Sequence, residues 1–158
     1  DLKLLMIGSA GFGGNVVTPY VQEVQKLVEK AGERVKFTGY IENQKLYRYY
    51  QSADIQVIPS LWEEAAGLIA IEGMLSGLPL IITKSGGMIE YAPSNVAVWI
   101  DRDNIIPNLE AAIIQLADDK EKRKEMSELS LERAKEFPKK KFYEDYIEVF
   151  EYERIGER

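Results

Sequence analysis

Glu64 and Glu72, separated by seven residues, are the ionisable groups whose placement most needs a chemical explanation. They lie in Pro59-Ser60-Leu61-Trp62-Glu63-Glu64-Ala65-Ala66-Gly67-Leu68-Ile69-Ala70-Ile71-Glu72-Gly73-Met74, which reads as a strand end, an acidic loop and a helix start. Glu72 is the only ionisable residue between Ala65 and Ile82, and helical spacing puts it on one face with Leu68 and Leu75. The leucines predict that this face meets the core, where a carboxylate is costly unless it is satisfied. A lysine or a backbone amide would satisfy it, and so would the two hydroxyls of a ribose. Glu64 alone says less, because loop acids are usually solvated.

Two further features of the same region suit an anion. Ala65, Ala66 and Gly67 are small and leave the first amides of the following helix uncovered, at the positive end of its dipole. An ordinary loop-to-helix junction would look the same. Thr83-Lys84-Ser85-Gly86-Gly87-Met88-Ile89-Glu90 is a second strand exit, and its paired glycines let a ligand, or simply a tight turn, approach the backbone. Gly8-Ser9-Ala10-Gly11-Phe12-Gly13-Gly14 is a third glycine-rich exit. It fits neither G-x-G-x-x-G from Gly8 nor the phosphate-binding loop that ends in lysine and a hydroxyl.

Composition narrows the chemistry. The chain has 158 residues, with no cysteine and no histidine, so disulfides, thiolate chemistry and imidazole catalysis are excluded. Catalysis must use carboxylates, lysine, arginine, hydroxyls or amides. The net charge is −6, with basic residues scattered among more numerous acids, which argues against nucleic-acid binding. No apolar run approaches the ~18 residues of a membrane span, and no signal peptide opens the chain, so a cytoplasmic location is expected. The start at Asp1, without an initiator methionine, reads as a piece of a longer protein.

The elements that must position these residues follow from composition and spacing. Short apolar runs at 2–7, 35–38, 55–59, 80–83 and 96–100 are strand candidates expected to be buried on both faces. Helical segments at 19–31, 44–53, 68–76 and 88–91 lie between them. This alternation predicts an α/β fold, a three-layer Rossmann-like parallel sheet, over 1–101. In such a sheet the ligand crevice lies beyond the carboxyl ends of the strands, where the Glu64 loop falls. Residues 102–158 read as a helical extension of the same single domain, starting near Pro107, broken near Asp118 and Asp119 and again at Pro138. Its last helix, 139–153, carries Phe142, Tyr146, Val149 and Phe150 as an aromatic stripe. The stripe needs a surface, either this domain's own sheet or a neighbouring domain.

In order and spacing, the chain resembles the C-terminal, donor-binding domain of retaining glycosyltransferases of family 4, which have the GT-B architecture. The residues that carry the resemblance are Val35-Lys36-Phe37-Thr38-Gly39-Tyr40-Ile41, Leu46-Tyr47, Ser52-Ala53-Asp54, the Glu64-x7-Glu72 pair, Leu78-Pro79-Leu80-Ile81-Ile82-Thr83 and Gly86-Gly87-Met88-Ile89-Glu90. The resemblance implies that Glu72 holds the ribose hydroxyls and that Glu64 is the catalytic-site acid beside the transferred sugar. It implies that the Gly67 and Leu68 amides meet the diphosphate and that the main chain at Tyr40 and Ile41 borders the base. Lys84, Ser85, Gly86 and Gly87 would line the phosphate side. The donor would be a nucleoside-diphosphate sugar, with no metal or other cofactor. The acceptor, a saccharide or lipid-linked molecule in bacterial polysaccharide assembly, would bind an N-terminal domain absent from this chain, and any membrane contact would belong to the parent protein.

The chain departs from that family at three places. Glu64-Ala65-Ala66-Gly67 stands where the family commonly has Glu-Gly-Phe-Gly. The arginine and lysine that neutralise the diphosphate belong to a strand that would precede Leu2, and both are missing. That first strand would lie between the strands at 2–7 and 55–59, so either these two pair directly, or another polypeptide or a swapped neighbour fills the gap, or the correspondence with the family fails near the N-terminus. The fragment is expected to be inactive alone. Two other functions fit an acidic α/β sheet: a GT-B sugar-nucleotide epimerase and a non-enzymatic interaction domain.

Overall fold

The computed structural model describes residues 2–10, 14–64, 67–138, 140, 141 and 144. Its contacts divide into two compact units, Asp1–Tyr49 and Tyr50–Arg158. The fold is α/β with parallel strands, as the alternation of short apolar runs and amphipathic helices requires.

The first unit contains β1 (Leu4–Met6), α1 (Pro19–Ala31), a short 3-10 turn at Gly32–Arg34 and β2 (Val35–Phe37), and α2 (Asn43–Gln51) begins in it. β1 and β2 pair in parallel, with Leu4 opposite Val35 and Met6 opposite Phe37. Helix α1 starts where Thr18 accepts a hydrogen bond from the Val21 N–H at 3.2 Å and Pro19 supplies a preset φ. The expectation of strands buried on both faces fails in this unit. Leu4 is 49% and Leu5 39% exposed, because a two-stranded sheet offers few neighbours to cover either face.

The second unit contains β3 (Gln56–Ile58), α3 (Leu68–Leu75), β4 (Leu80–Thr83), α4 (Met88–Tyr91), β5 (Ala97–Ile100), α5 (Ile105–Asp118) and α6 (Lys120–Ala134). β4 lies at the centre of a parallel sheet of order β3-β4-β5, and all four of its residues are buried. Its side chains alternate between two apolar clusters. Leu80 and Ile82 meet Ala70, Met74, Met88 and Ala134 on one face, while Ile81 meets Ile100, Ala112, Leu116 and Met126 on the other. Three layers result. Each aliphatic side chain so enclosed contributes about 1.5–3 kcal/mol.

Of the outcomes left open for the strands at 2–7 and 55–59, direct pairing is not seen among the described residues: the five strands form two parallel sheets, β1-β2 and β3-β4-β5. The register of an apolar run says that it will be paired, not with which partner. The helical extension is also more integral than its position in the sequence suggests. α5 packs on β4 and β5, and α6 packs on α3. Ser130 of α6 donates to the Leu78 carbonyl at 2.9 Å, and the Arg133 guanidinium donates to the carbonyls of Tyr91 and Glu90 at 2.9 and 2.7 Å. Helix α5 begins two residues before Pro107, which therefore sits in the first turn, where its missing N–H costs nothing. Phe142, Tyr146, Val149 and Phe150 lie outside the described residues.

Candidate functional site

β3, β4 and β5 run parallel, so their carboxyl ends share one edge of the sheet, and the segments that leave them carry most of the expected site. The β3 exit is held at nearly every residue by the exits of its neighbours. Thr83 Oγ1 donates to the Ser60 carbonyl at 2.7 Å. Arg102, just beyond β5, donates to the Leu61 carbonyl at 3.4 Å and pairs with the Glu63 carboxylate. The Ser85 hydroxyl donates to the Trp62 carbonyl and accepts from the Glu64 N–H at 3.3 Å. The Gly86 N–H donates to Glu63 Oε2 at 2.5 Å and the Gly87 N–H to the Glu64 carbonyl at 3.0 Å. The Gly86 amide first, and then the Arg102 guanidinium, hold the Glu63 carboxyl below the usual carboxylate range.

Glu64 is half-buried. The Ser60 hydroxyl and the Trp62 indole N–H both donate to its Oε1, at 2.8 and 3.0 Å. Gly86 has to be glycine for this loop to sit where it does: its φ is +47°, and a Cβ there would lie 2.1 Å from the Glu64 carbonyl oxygen. Gly67 is constrained in the same way by α4. It caps α3 at φ +54°, and a Cβ would lie 2.2 Å from Met88 Cγ. Among the described residues no side chain caps that helix start; the Ala70 N–H donates to the Gly67 carbonyl at 2.8 Å, and the Leu68 and Ile69 amides precede it at the N-terminus of α3. Ala65 and Ala66 lie outside the described residues.

Glu72 requires a correction. Leu68 and Leu75, which shared its face and pointed it to the core, are 62% and 59% exposed, and Glu72 is exposed with them. The buried face of α3 is Ala70, Gly73 and Met74. Gly73 lets the helix lie against β3, since a Cβ there would meet Gln56 Oε1 at 1.7 Å and Leu80 Cδ2 at 2.9 Å. Glu72 therefore carries no burial penalty that a ligand must offset. Its partner is neither lysine nor amide but the Tyr50 hydroxyl, which donates to Oε2 at 2.9 Å. Burial, and then this bond, push the Tyr50 phenol well above its ordinary range, so it remains a donor throughout the neutral pH range.

The remaining expected residues are placed as follows. Lys84 is exposed and pairs with Asp101 Oδ1 at 2.9 Å, an ion pair open to solvent. Ser85 is buried, and its hydroxyl is engaged with the main chain of Trp62 and Glu64. Gly86 and Gly87 donate their amides to Glu63 and Glu64. Tyr40 and Ile41 belong to the first unit and are half-buried, and the Tyr40 N–H donates to Asn15 Oδ1 at 2.7 Å. Sequence reasoning passed over Ser60, Trp62, Tyr50 and Arg102, all of them hydrogen-bonded to the acidic residues or to their loop.

A cavity of about 490 Å³ borders β5, α5 and α6, with Lys84, Trp99, Gln115 and Lys122 in its wall. It contains neither Glu64 nor Glu72, and of the expected site residues only Lys84, at the β4 exit, is in its wall. Among the described residues no three acidic, histidine or cysteine side chains are grouped to hold a metal ion. Among the same residues no helix is long and apolar enough to cross a membrane.

Comparison with known proteins agrees with this architecture. The family model for glycosyl transferases group 1 matches residues 1–133. Spore coat protein SA of Bacillus subtilis is 28% identical over 156 residues, 98% of this chain and 41% of that protein. D-inositol 3-phosphate glycosyltransferase of Corynebacterium diphtheriae is 29% identical over 138 residues, 87% of this chain and 31% of the enzyme. The crystal structure of Anabaena HepE in complex with UDP and glucose superposes with a TM-score of 0.80 at 22% identity, covering 95% of this chain and 40% of HepE. The chain thus spans less than half the length of each of these proteins.

Proposed function

This chain belongs to the glycosyl transferases group 1 family, and from that premise we propose that it is the donor-binding domain of a retaining, family 4 glycosyltransferase. Its substrate is a nucleoside-diphosphate sugar. The observation that carries the proposal is the Glu64-x7-Glu72 pair at the carboxyl edge of a parallel sheet, with Glu64 on the segment joining β3 to α3, held by its own loop, and Glu72 within α3.

In this proposal Glu72, exposed at the surface of α3, accepts from the ribose hydroxyls, while Tyr50 fixes one of its oxygens. Glu64 orients the transferred sugar. The uncapped start of α3, at Gly67 and Leu68, meets the diphosphate and stabilises the charge that develops on it as the glycosidic bond breaks. Ser85, Gly86 and Gly87 shape that side by holding the Glu63-Glu64 loop. Lys84, paired with Asp101, lines the phosphate side at the β4 exit. As the bond from the anomeric carbon to the diphosphate breaks, the acceptor oxygen bonds to that carbon from the same face and its proton passes to the departing phosphate, so the anomeric configuration is kept, and no metal takes part.

The acceptor, a saccharide or lipid-linked molecule, binds a separate domain. The shares of 41% and 31% that the chain covers in its relatives support that division. The chain alone therefore binds donor weakly and transfers no sugar, and a cytoplasmic location belongs to the same proposal. Turnover of a nucleotide sugar by the 158-residue chain would contradict it.

Calorimetric titration of UDP, GDP and ADP against the wild type and Glu72→Ala tests the ribose contact. Loss of a charged hydrogen bond, about 1.5–3 kcal/mol, should weaken the preferred nucleotide by roughly 10–100-fold. Equal binding by the two proteins would remove Glu72 from the site.

A further inference from the structure

Glu64 lies in a loop, and a loop carboxylate on a two-torsion stem is ordinarily free to rotate in water. Here the main chain from Ser60 to Glu64 is fixed. The carbonyls of Ser60, Leu61, Trp62 and Glu64 accept from Thr83, Arg102, Ser85 and Gly87 respectively, and the Glu64 N–H donates to Ser85. A rigid main chain makes it possible for neighbouring side chains to set the carboxylate's direction. Two of them do so. The hydroxyl of Ser60, four residues before, and the indole N–H of Trp62, two before, converge on the same oxygen, Oε1.

Trp62 is 69% exposed, so burial of its ring is not what holds it there. Its indole N–H is a donor only and cannot serve any other role in this contact. Two donors on one oxygen restrain the carboxylate at Oε1, and Oε2 is the oxygen that neither of them holds.

We infer that Ser60 and Trp62 are positioning residues for Glu64: together they hold Oε1 and present Oε2 to a hydroxyl of the transferred sugar. The inference rests on the proposed role of Glu64 beside that sugar. Removing either donor leaves the nucleotide contacts intact but frees the carboxylate to rotate, so the loss falls on the sugar and not on the nucleoside diphosphate.

The quantity to measure is the sugar increment, the ratio of the affinity for the tighter of UDP-glucose and UDP-N-acetylglucosamine to the affinity for UDP. It is read by calorimetry for the wild type, Ser60→Ala, Ser60→Thr, Trp62→Phe and Glu64→Gln. Trp62→Phe keeps the ring and removes the donor, and a thermal melt checks that each variant remains folded. Expected is a three- to tenfold smaller increment in Ser60→Ala and Trp62→Phe, with UDP affinity within twofold of wild type, and recovery in Ser60→Thr. An unchanged increment in both variants, alongside its loss in Glu64→Gln, overturns the positioning role and leaves the role of Glu64 standing. An increment that is absent from the wild type, or unchanged in Glu64→Gln, overturns the role of Glu64 itself.

Discussion

The two units use the same vocabulary of short apolar strands and amphipathic helices, yet they end in different states. In the second, β4 is enclosed between two apolar clusters, while in the first both leucines of β1 are substantially exposed. The runs Leu2 to Ile7 and Leu80 to Thr83 do not differ enough in composition to account for this. What differs is the number of covering layers. α3, α4 and the end of α6 cover one face of the second sheet, and α5 with α6 covers the other. Apolar composition supplies the tendency to be buried, and the neighbours decide whether it is realised.

The largest expected effect would break this contrast if it failed. Ile82→Ala should lower the unfolding free energy by about 3 kcal/mol, because it removes a fully enclosed side chain, whereas Leu4→Ala should cost less than about 1 kcal/mol. Urea unfolding monitored by circular dichroism measures both. Equal losses would mean that β1 is as well enclosed as β4.

Glycines sharpen the same contrast at a smaller scale. Gly32 in the first unit and Gly86 in the second both have positive φ, +66° and +47°. A Cβ on Gly32 meets nothing within 4 Å, while one on Gly86 meets the Glu64 carbonyl. At φ +66° and ψ −149° Gly32 occupies backbone space that is essentially glycine's alone, so Gly32→Ala should cost about 1–3 kcal/mol of backbone strain and leave donor binding unchanged. Gly86→Ala should cost about 2 kcal/mol or more and weaken binding of nucleotide sugar as well, as the Glu63-Glu64 loop moves. Thermal melts and donor titrations separate the two outcomes.

The smallest effect concerns Tyr50 and Glu72. Tyr50→Phe should cost about 1 kcal/mol at neutral pH. The folded phenol titrates above its unfolded value of about 10, so its contribution is complete below that pH and is lost as the pH rises through the folded value. The stability difference between wild type and Tyr50→Phe should shrink accordingly above about pH 10. A constant difference would mean that neither burial nor Glu72 holds the Tyr50 phenol neutral in the folded protein.

The strand at 80–83 and the helices at 19–31 and 88–91 were legible because each combines a strong local pattern with a clear start: Pro19 after Thr18, Pro79 before Leu80, Gly86 and Gly87 before Met88. The face of α3 was not. Leu68-Ile69-Ala70-Ile71-Glu72-Gly73-Met74-Leu75 is apolar almost all round, so periodicity could not tell the side that carries Ala70, Gly73 and Met74 from the side that carries Leu68 and Leu75. The packing of α3 against β3 and α6 chose the side with the small residues.

The sequence by itself determined that this is a parallel α/β chain, that its chemistry must do without thiol and imidazole, and that Glu64 and Glu72 stand around a strand-to-helix junction. These follow from composition and short-range spacing, which do not depend on distant residues. Only the tertiary structure decided that the strands divide into two sheets, that Glu72 faces outward against Tyr50, and that Ser60, Trp62, Ser85 and Arg102 hold the acidic loop. Ser85 is 21 residues from Glu64, and Arg102 is 41 from Leu61. Contacts over such separations leave no local pattern in the chain, because they form only when parallel strands bring their carboxyl ends to a common edge.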